Sequence, residues 1–339
     1  MIKEQVKSLW KLCFDDSEAF IELYFRLRYN NEVNLAIQSG EEVIAALQML
    51  PYPMTFCNKI VPTSYISGAC THPDYRAKGV MRELLSQSFA RMLRNGVLFS
   101  TLIPAEPWLF GYYAKTGYTP AFRISHKVFS LSELTIGPEP DTMIEETTEY
   151  QEDYYQYLTG KLSERACCLQ HTPTDFKVVL ADLALTQNTV LIARKDNRVT
   201  GIAVVYKHDD SSYINELFAD NEAVRAQLLY RAGLRNGTER IILQLPPVES
   251  LPSVPLGMAR IIDARAVLQL YAAGCPEVEM NIELTDEQLS VNNGYYYLCK
   301  GKWMTSEVRL PGVHTRMTIA ELSEKILGEM QPYMSLMMN

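Results

Sequence analysis

The chain has 339 residues, 47% of them hydrophobic and 21% charged, with a formal net charge of −8. This is the composition of an ordinary soluble globular protein, long enough to bury more than one core. The acidic balance repels phosphates, so no nucleic-acid partner is expected.

No apolar stretch is long enough to span a bilayer. The first twenty residues carry acidic groups and no cleavage site, so they do not read as a signal peptide. No membrane association is expected, and the location expected is cytoplasmic. The seven cysteines are Cys13, Cys57, Cys70, Cys167, Cys168, Cys275 and Cys299. None forms C-x-x-C and none clusters with the five histidines. Reduced thiols and no metal are expected.

Residues 3–30 read as two helical pieces broken at Phe14-Asp15-Asp16-Ser17, whose polar residues are good N-caps. Residues 33–38, 42–50 and 53–60 alternate or run apolar, as a strand meander does, with a turn at Ser39-Gly40. Tyr65–Thr71 reads as a further strand, followed by a polar turn over 72–79. Val80–Asn95 is a helix: Met81, Leu84, Leu85, Phe89, Met92 and Leu93 recur at helical spacing, and Gly96 stops it. Val97–Pro104 is a strand, and Pro107–Lys115 a short helix ending near Gly117. An α/β unit therefore closes by about residue 135, before a linker at Gly137-Pro138-Glu139-Pro140.

The same order then returns. Leu35–Tyr52 (LAIQSGEEVIAALQMLPY) is echoed by Leu191–Tyr206 (LIARKDNRVTGIAVVY). Ser64-Tyr65-Ile66 is echoed by Ser212-Tyr213-Ile214, and Arg94-Asn95-Gly96 by Arg235-Asn236-Gly237. Two copies of one fold are expected, against the alternative of a chance strand-turn-strand likeness. The four prolines of Leu245–Pro255 mark a boundary. Beyond it come helices near 263–272 and 318–330, with strands around 277–284 and 294–300.

Chemistry concentrates at Arg76-Ala77-Lys78-Gly79-Val80-Met81-Arg82, where a strand passes into a helix. The first N–H groups of a helix lack partners, and its dipole adds positive charge there. Gly79 lets the backbone approach a ligand, and Arg76, Lys78 and Arg82 add formal charge. Together they suit a pyrophosphate. A capped surface helix with basic decoration is the bland alternative. The second copy has Ala219-Asp220-Asn221-Glu222-Ala223 at this place. Two carboxylates and no glycine do not cradle a phosphate.

Some thirty residues beyond the turn lies Tyr113-Ala114-Lys115-Thr116-Gly117-Tyr118. Strand, R-x-x-G turn, helix, strand and Y-x-K-x-G-[FY], in this order, resemble the GCN5-related N-acetyltransferase (GNAT) superfamily. One residue departs from its pattern: the turn usually ends in Gly or Ala, and here it ends in Met81. The whole layout resembles the Eis-like (enhanced intracellular survival) group. Thr71–Arg82 is similar to that group's cofactor segment. Arg260–Ala266 and Asn292–Leu298 are loosely similar to parts of its third domain.

The resemblance implies an α/β fold of tandem GNAT units on mixed, mostly antiparallel sheets, plus a small α+β sterol carrier protein-like domain. The divisions expected are 1–136, 141–255 and 256–339. It implies acetyl-CoA as co-substrate, bound by the backbone of Ala69, Cys70 and Thr71 and by the turn residues Arg76, Ala77, Lys78, Gly79, Val80, Met81 and Arg82. The implied activity is acetyl transfer to a primary amine: an aminoglycoside, a polyamine, a small amine or a lysine. A non-enzymatic scaffold binding acetyl-CoA or a lipid-like ligand is the alternative. The resemblance also implies a homo-oligomer, such as a hexamer.

Within this frame Tyr113 is the expected general acid. A phenol of pKa ~10 is protonated at neutral pH and close enough to a thiol's ~8.5 to protonate a leaving thiolate. Tyr112 is its neighbouring competitor. Cys70 is expected to be an inert strand cysteine, and His72 a cap at the turn. Trp108, Phe110 and Glu106 lie where a substrate pocket could open, with core packing the expected fate of the two aromatics. No side chain of the first unit stands out as base. The resemblance assigns that part to the chain-terminal carboxylate, here at Asn339, behind an apolar, methionine-rich tail.

Overall fold

A computed structural model describes residues 2–134 and 142–337. The linker expected at Gly137-Pro138-Glu139-Pro140 and the residue Asn339 lie outside the described residues. The first repeat runs α1 (Ile2–Cys13), α2 (Glu18–Leu27), β1 (Asn34–Ser39), β2 (Glu42–Phe56), β3 (Lys59–Thr71), α3 (Val80–Arg94), β4 (Phe99–Leu102), α4 (Pro107–Ala114) and β5 (Thr119–Ser130). The second runs β6 (Thr142–Thr147), α5 (Glu152–Ser163), β7 (Cys168–Leu169), α6 (Pro173–Leu185), β8 (Thr189–Lys195), β9 (Arg198–His208), β10 (Ser211–Ala219), α7 (Glu222–Asn236), β11 (Arg240–Leu245) and β12 (Ser253–Ile261). The C-terminal unit is α8 (Ala264–Gly274), β13 (Met280–Thr285), β14 (Gly294–Cys299), β15 (Lys302–Ser306), β16 (Thr315–Thr318) and α9 (Ile319–Met330).

The fold is mixed α/β, as expected. One 12-stranded sheet follows the order β1-β2-β3-β4-β12-β5-β11-β10-β9-β8-β6, with β7 on β2. A 4-stranded sheet, β15-β14-β13-β16, belongs to the C-terminal unit. The repeat read from the sequence is visible in pairing. β3 and β4 are parallel, and so are their counterparts β10 and β11. The halves join through antiparallel β5 and β11. β12, where the prolines suggested a boundary, is inserted between β4 and β5 of the first repeat.

Strand limits differ from expectation at β2, which runs unbroken through Pro51 and Pro53, and at β3, which starts at Lys59. β1 covers β2 only as far as Gln48, and β7 meets it again at Met54 and Thr55. The prolines fall in the open edge between, where a missing N–H breaks no ladder bond. The turn sits instead at Cys57 and Asn58, both with positive φ.

Ser17 caps α2, accepting from the Phe20 N–H at 3.2 Å, as its position in the sequence suggested. α3 buries Leu84, Leu85, Phe89 and Met92, the apolar stripe of its sequence. Each such side chain contributes on the order of 1.5–3 kcal/mol when fully buried. This packing fixes the N-terminus of α3 against the sheet, and with it the turn before it.

Candidate active site

The parallel pairing of β3 and β4 covers only Thr63–Tyr65 against Phe99–Thr101. On its far side β4 pairs with β12 throughout, from Phe99 opposite Ile261 to Leu102 opposite Met258. Residues 66–71 stay paired with β2 on one edge and, among the described residues, have no strand on the other. A bulge helps to open this gap. Ala46 stands opposite Cys70 and Gln48 opposite Ser67, so Gly68 and Ala69 together face Leu47, and such two-against-one pairing bends a strand. Gly68 has φ of 58°, and a Cβ there would lie 2.0 Å from the Trp10 ring. Only glycine fits both demands. Ala69, Cys70 and Thr71 thus border the gap with main-chain groups, which can pair with an extended amide-bearing ligand.

The turn follows at once. His72 caps it, Nδ1 accepting from the Asp74 N–H at 3.3 Å, which is the structural role expected. Arg76 is exposed and its Nε donates to the Thr71 carbonyl at 3.1 Å. Ala77 and Gly79 both have positive φ, 60° and 81°. Alternation of this kind turns successive N–H groups into an anion-binding concavity. α3 starts at Val80 with no side-chain cap. A Cβ at Gly79 would meet nothing within 4 Å, so φ, not crowding, selects glycine. Lys78 and Arg82 are exposed beside it. Met81 packs partly buried against the core of α3, so its side chain leaves the turn clear.

The second repeat closes the equivalent place with its own atoms. Asn221 caps α7, accepting from the Val224 N–H at 2.9 Å. Asp220 bears negative charge there and takes Lys161 at 3.5 Å. The residues of the first turn fit a pyrophosphate, and those of the second do not.

Tyr113 is the buried residue of α4, 8% exposed. Its ring stands edge-on to Tyr112 at 5.5 Å and to Tyr118 at 5.9 Å. Burial pushes its hydroxyl up to about 12, so the phenol is protonated across the neutral range. The end of α4 is held by Thr116, whose N–H and hydroxyl both donate to the Tyr113 carbonyl. Gly117 follows with φ of 90°, where a Cβ would lie 2.7 Å from Ile319 and 3.0 Å from Arg260. Tyr112 is half-buried on the same helix.

Trp108 corrects an expectation. It is 68% exposed instead of packed in the core, because α4 is short and turns its one buried residue, Tyr113, inward. Phe110 is half-buried against the α3 core. Cys70 is buried, and its thiol is raised well above the ordinary range by the adjoining Cys13 thiol and by burial. That is the inert state expected of it. Cys13 moves the other way: its bond to Cys70, with Arg76 close by, lowers it to about 6.

Sequence reasoning missed the opposite face of the sheet. There the Tyr24 hydroxyl donates to Ser67 Oγ at 2.9 Å. Beside Ser67, Gln48 is fully buried, and neither of its amide atoms has a partner among the described residues. Tyr52 and Tyr65 meet edge-on at 6.2 Å. Arg28 donates to the Tyr52 hydroxyl at 2.8 Å and to Asp175 of the second repeat at 2.5 Å, with both charged side chains 7% exposed. These residues come from four separate segments, and no local motif links them. Tyr333–Met337 also packs here, against the cores of both repeats and the C-terminal unit. Asn339 itself is outside the described residues.

Residues 3–121 match the family described as Acetyltransferase (GNAT) domain. No curated protein matches the chain in sequence. Among solved structures, a conserved protein of unknown function from Enterococcus faecalis, described as a probable N-acyltransferase, aligns with a TM-score of 0.76 at 13% identity, over 98% of this chain and 95% of that one. A GCN5-related N-acetyltransferase from Kribbella flavida aligns at 0.75 with 17% identity, over 99% and 95%. Eis from Mycobacterium abscessus aligns at 0.71 with 13% identity, over 96% and 87%. At such identities the likeness is one of fold. The family match covers the turn and Tyr113 together: residues 3–121 match an acetyltransferase (GNAT) domain, and the chain is an N-acetyltransferase. GNAT acetyltransferases take acetyl-CoA as co-substrate. Among the described residues no helix is long and apolar enough to cross a membrane.

Proposed function

We propose that this protein transfers an acetyl group from acetyl-CoA directly to a primary amine, with Tyr113 as general acid. One observation carries the reading. The gap between β3 and β4, the uncapped helix with its two left-handed residues, and the Tyr113 hydroxyl all belong to one repeat. Acetyl-CoA would supply the thioester. Ala69, Cys70 and Thr71 would bind its extended arm by main chain, and Arg76–Arg82 its pyrophosphate.

The C–S bond breaks as the N–C bond forms. Tyr113 donates its proton to the departing sulfur and regains one from solvent. The amine must lose a proton as well. A lysine-like amine lies about 3.4 units above pH 7, roughly 4.6 kcal/mol, so a positioned acceptor is worthwhile. For that acceptor we propose the terminal carboxylate at Asn339; the docked run Tyr333–Met337 supports it. Asn339→Ala should then keep most activity, whereas residues appended after it should suppress turnover.

The amine would approach from the side of the sheet on which α1 and α2 pack, where Tyr24, Gln48, Tyr52 and Ser67 lie buried. Aminoglycosides, polyamines, small amines and lysine all remain within the proposed acceptor class. The divisions 1–136, 141–255 and 256–339, the sterol carrier protein-like character of the last, a homo-oligomeric and hexameric assembly and a cytoplasmic location belong to the same proposal. It is tested by free CoA release with a panel of amines. Turnover with at least one, lost in Tyr113→Phe, is expected. Acetyl-CoA binding without CoA release from any amine would instead favour a non-enzymatic scaffold.

A further inference from the structure

The second repeat has lost the cofactor turn but kept the parting of its strands. β10 and β11 pair in parallel over Ser211–Ile214 and Arg240–Leu243 and no further. The register of β10 against β9 breaks between Ile214 and Glu216. In the first repeat the matching events are the end of pairing at Tyr65 and the bulge at Gly68–Ala69. With Ser212-Tyr213-Ile214 aligned on Ser64-Tyr65-Ile66, Glu216 stands where Gly68 stands.

That place is filled by the chain's own tail. The Tyr333 hydroxyl donates to Glu216 Oε2 at 2.9 Å, and Glu216 is 3% exposed. The Arg165 guanidinium lies 4.1 Å from the centroid of the Tyr333 ring. The Tyr333 N–H donates to the Cys167 carbonyl at 2.9 Å, and its carbonyl accepts from the Leu169 N–H at 3.0 Å. His171 Nε2 lies 2.9 Å from the Ser335 carbonyl. Tyr333 and Leu336 belong to the core beneath α5 and α6, the face matching the acceptor side of the first repeat.

We infer that the second repeat retains its acceptor side as a receptor for residues 333–336, and that Glu216 positions this segment for transfer in the first repeat. The contacts continue in that direction. His171 stands edge-on to Tyr52 at 5.5 Å, and Tyr52 edge-on to Tyr65, where β3 and β4 part. An apolar plug would need no carboxylate. Burying one is costly unless it is bonded, and here the bond goes to the tail's own hydroxyl. The inference rests on the acetyltransferase reading for its catalytic half only.

The test uses the full chain in four forms: wild type, Glu216→Leu, Glu216→Gln and Tyr333→Phe. Two measurements are made: hydrogen exchange over residues 333–337 and over β8–β9, and kcat with KM for acetyl-CoA. Losing this buried bond and leaving its partner unsatisfied should speed tail exchange by roughly tenfold or more. In Glu216→Leu and Tyr333→Phe we expect that rise with β8–β9 unchanged, a kcat falling by a similar factor, and an unchanged KM. Glu216→Gln, which still accepts the Tyr333 hydroxyl, should behave as wild type. Three results overturn the inference: unchanged tail exchange, exchange rising equally in β8–β9, or a loosened tail with unaltered kcat. Should wild type release CoA with no amine, the acetyltransferase reading fails, and the exchange comparison alone decides whether Glu216 holds the segment.

Discussion

Tyr65 and Thr101 are the last residues paired between the parallel strands β3 and β4. Past them residues 66–71 keep one edge bonded to β2 and, among the described residues, leave the other without a strand. A row of main-chain donors and acceptors cannot stay unmatched at no cost. Its position beside an uncapped helix N-terminus makes an extended ligand ending in a pyrophosphate the natural complement.

The first prediction concerns that complement. Calorimetry should find one acetyl-CoA site per chain. Gly79→Asp places a carboxylate beside the pyrophosphate and should weaken binding by about 100-fold, roughly 2.7 kcal/mol. Two sites per chain would mean that the second repeat binds despite its Asn221 cap and Asp220.

The second concerns the acid. Tyr113→Phe should lower kcat by roughly 10²–10⁴ while leaving acetyl-CoA affinity little changed. Because burial holds the hydroxyl up to about 12, the acid form persists to about pH 11. The wild-type kcat profile should therefore show no alkaline fall below that pH. An alkaline fall near pH 8–9, or full activity in Tyr113→Phe with a dead Tyr112→Phe, would remove Tyr113 from the role.

The third concerns the anchor of α4. Arg260 is fully buried, lies over Phe89 at 4.3 Å, donates to the Thr116 carbonyl and pairs with Asp286 at 2.6 Å. Asp286 is fixed in turn by the Gln288 and Leu289 N–H groups and by Asn292. Asp286→Ala leaves a buried guanidinium without its counter-charge and should cost about 3–5 kcal/mol in urea unfolding. It should also lower kcat, since Thr116 holds the helix end that carries Tyr113. Unchanged stability would mean that water or another carboxylate takes the place of Asp286.

Local pattern explains what the sequence made legible. The stripe of α3, the Gly79 turn, the Ser17 cap and the echo of Ser64-Tyr65-Ile66 in Ser212-Tyr213-Ile214 all depend on neighbours along the chain. β12 did not reveal itself: nothing within Ser253–Ile261 says that it will pair with Leu102 on one side and Ala259's partner Thr119 on the other. The Arg28–Asp175 pair joins residues far apart in sequence, each of which reads alone as a surface charge. Pro51 and Pro53 misled because proline breaks inner strands, and only the tertiary arrangement shows that this edge is open.

The last prediction follows from burial of phenols around the gap. Tyr52 and Tyr113 are each held up to about 12, chiefly by burial, and Tyr24 and Tyr118 are raised by the same cause. An unfolded chain titrates its tyrosines near ~10. The folded state therefore keeps protons that the unfolded state releases. That contribution is complete below about pH 10 and is lost as pH rises through about 12. Each such tyrosine adds a slope of about 1.4 kcal/mol per pH unit within that window. The thiols of Cys57, raised by burial, and of Cys70, raised by the adjoining Cys13 thiol and by burial, should start to lower the thermal unfolding midpoint above about pH 9, and the tyrosines should make the fall steeper above about pH 10. Tyr113 isolates one share of the effect, because burial is the chief cause that raises its hydroxyl. Tyr113→Phe should leave the midpoint at pH 8 nearly unchanged and make the decline above pH 10 shallower. An equally steep decline in that variant would mean that the Tyr113 hydroxyl already ionises in the folded protein, and its assignment as a protonated acid would go with it.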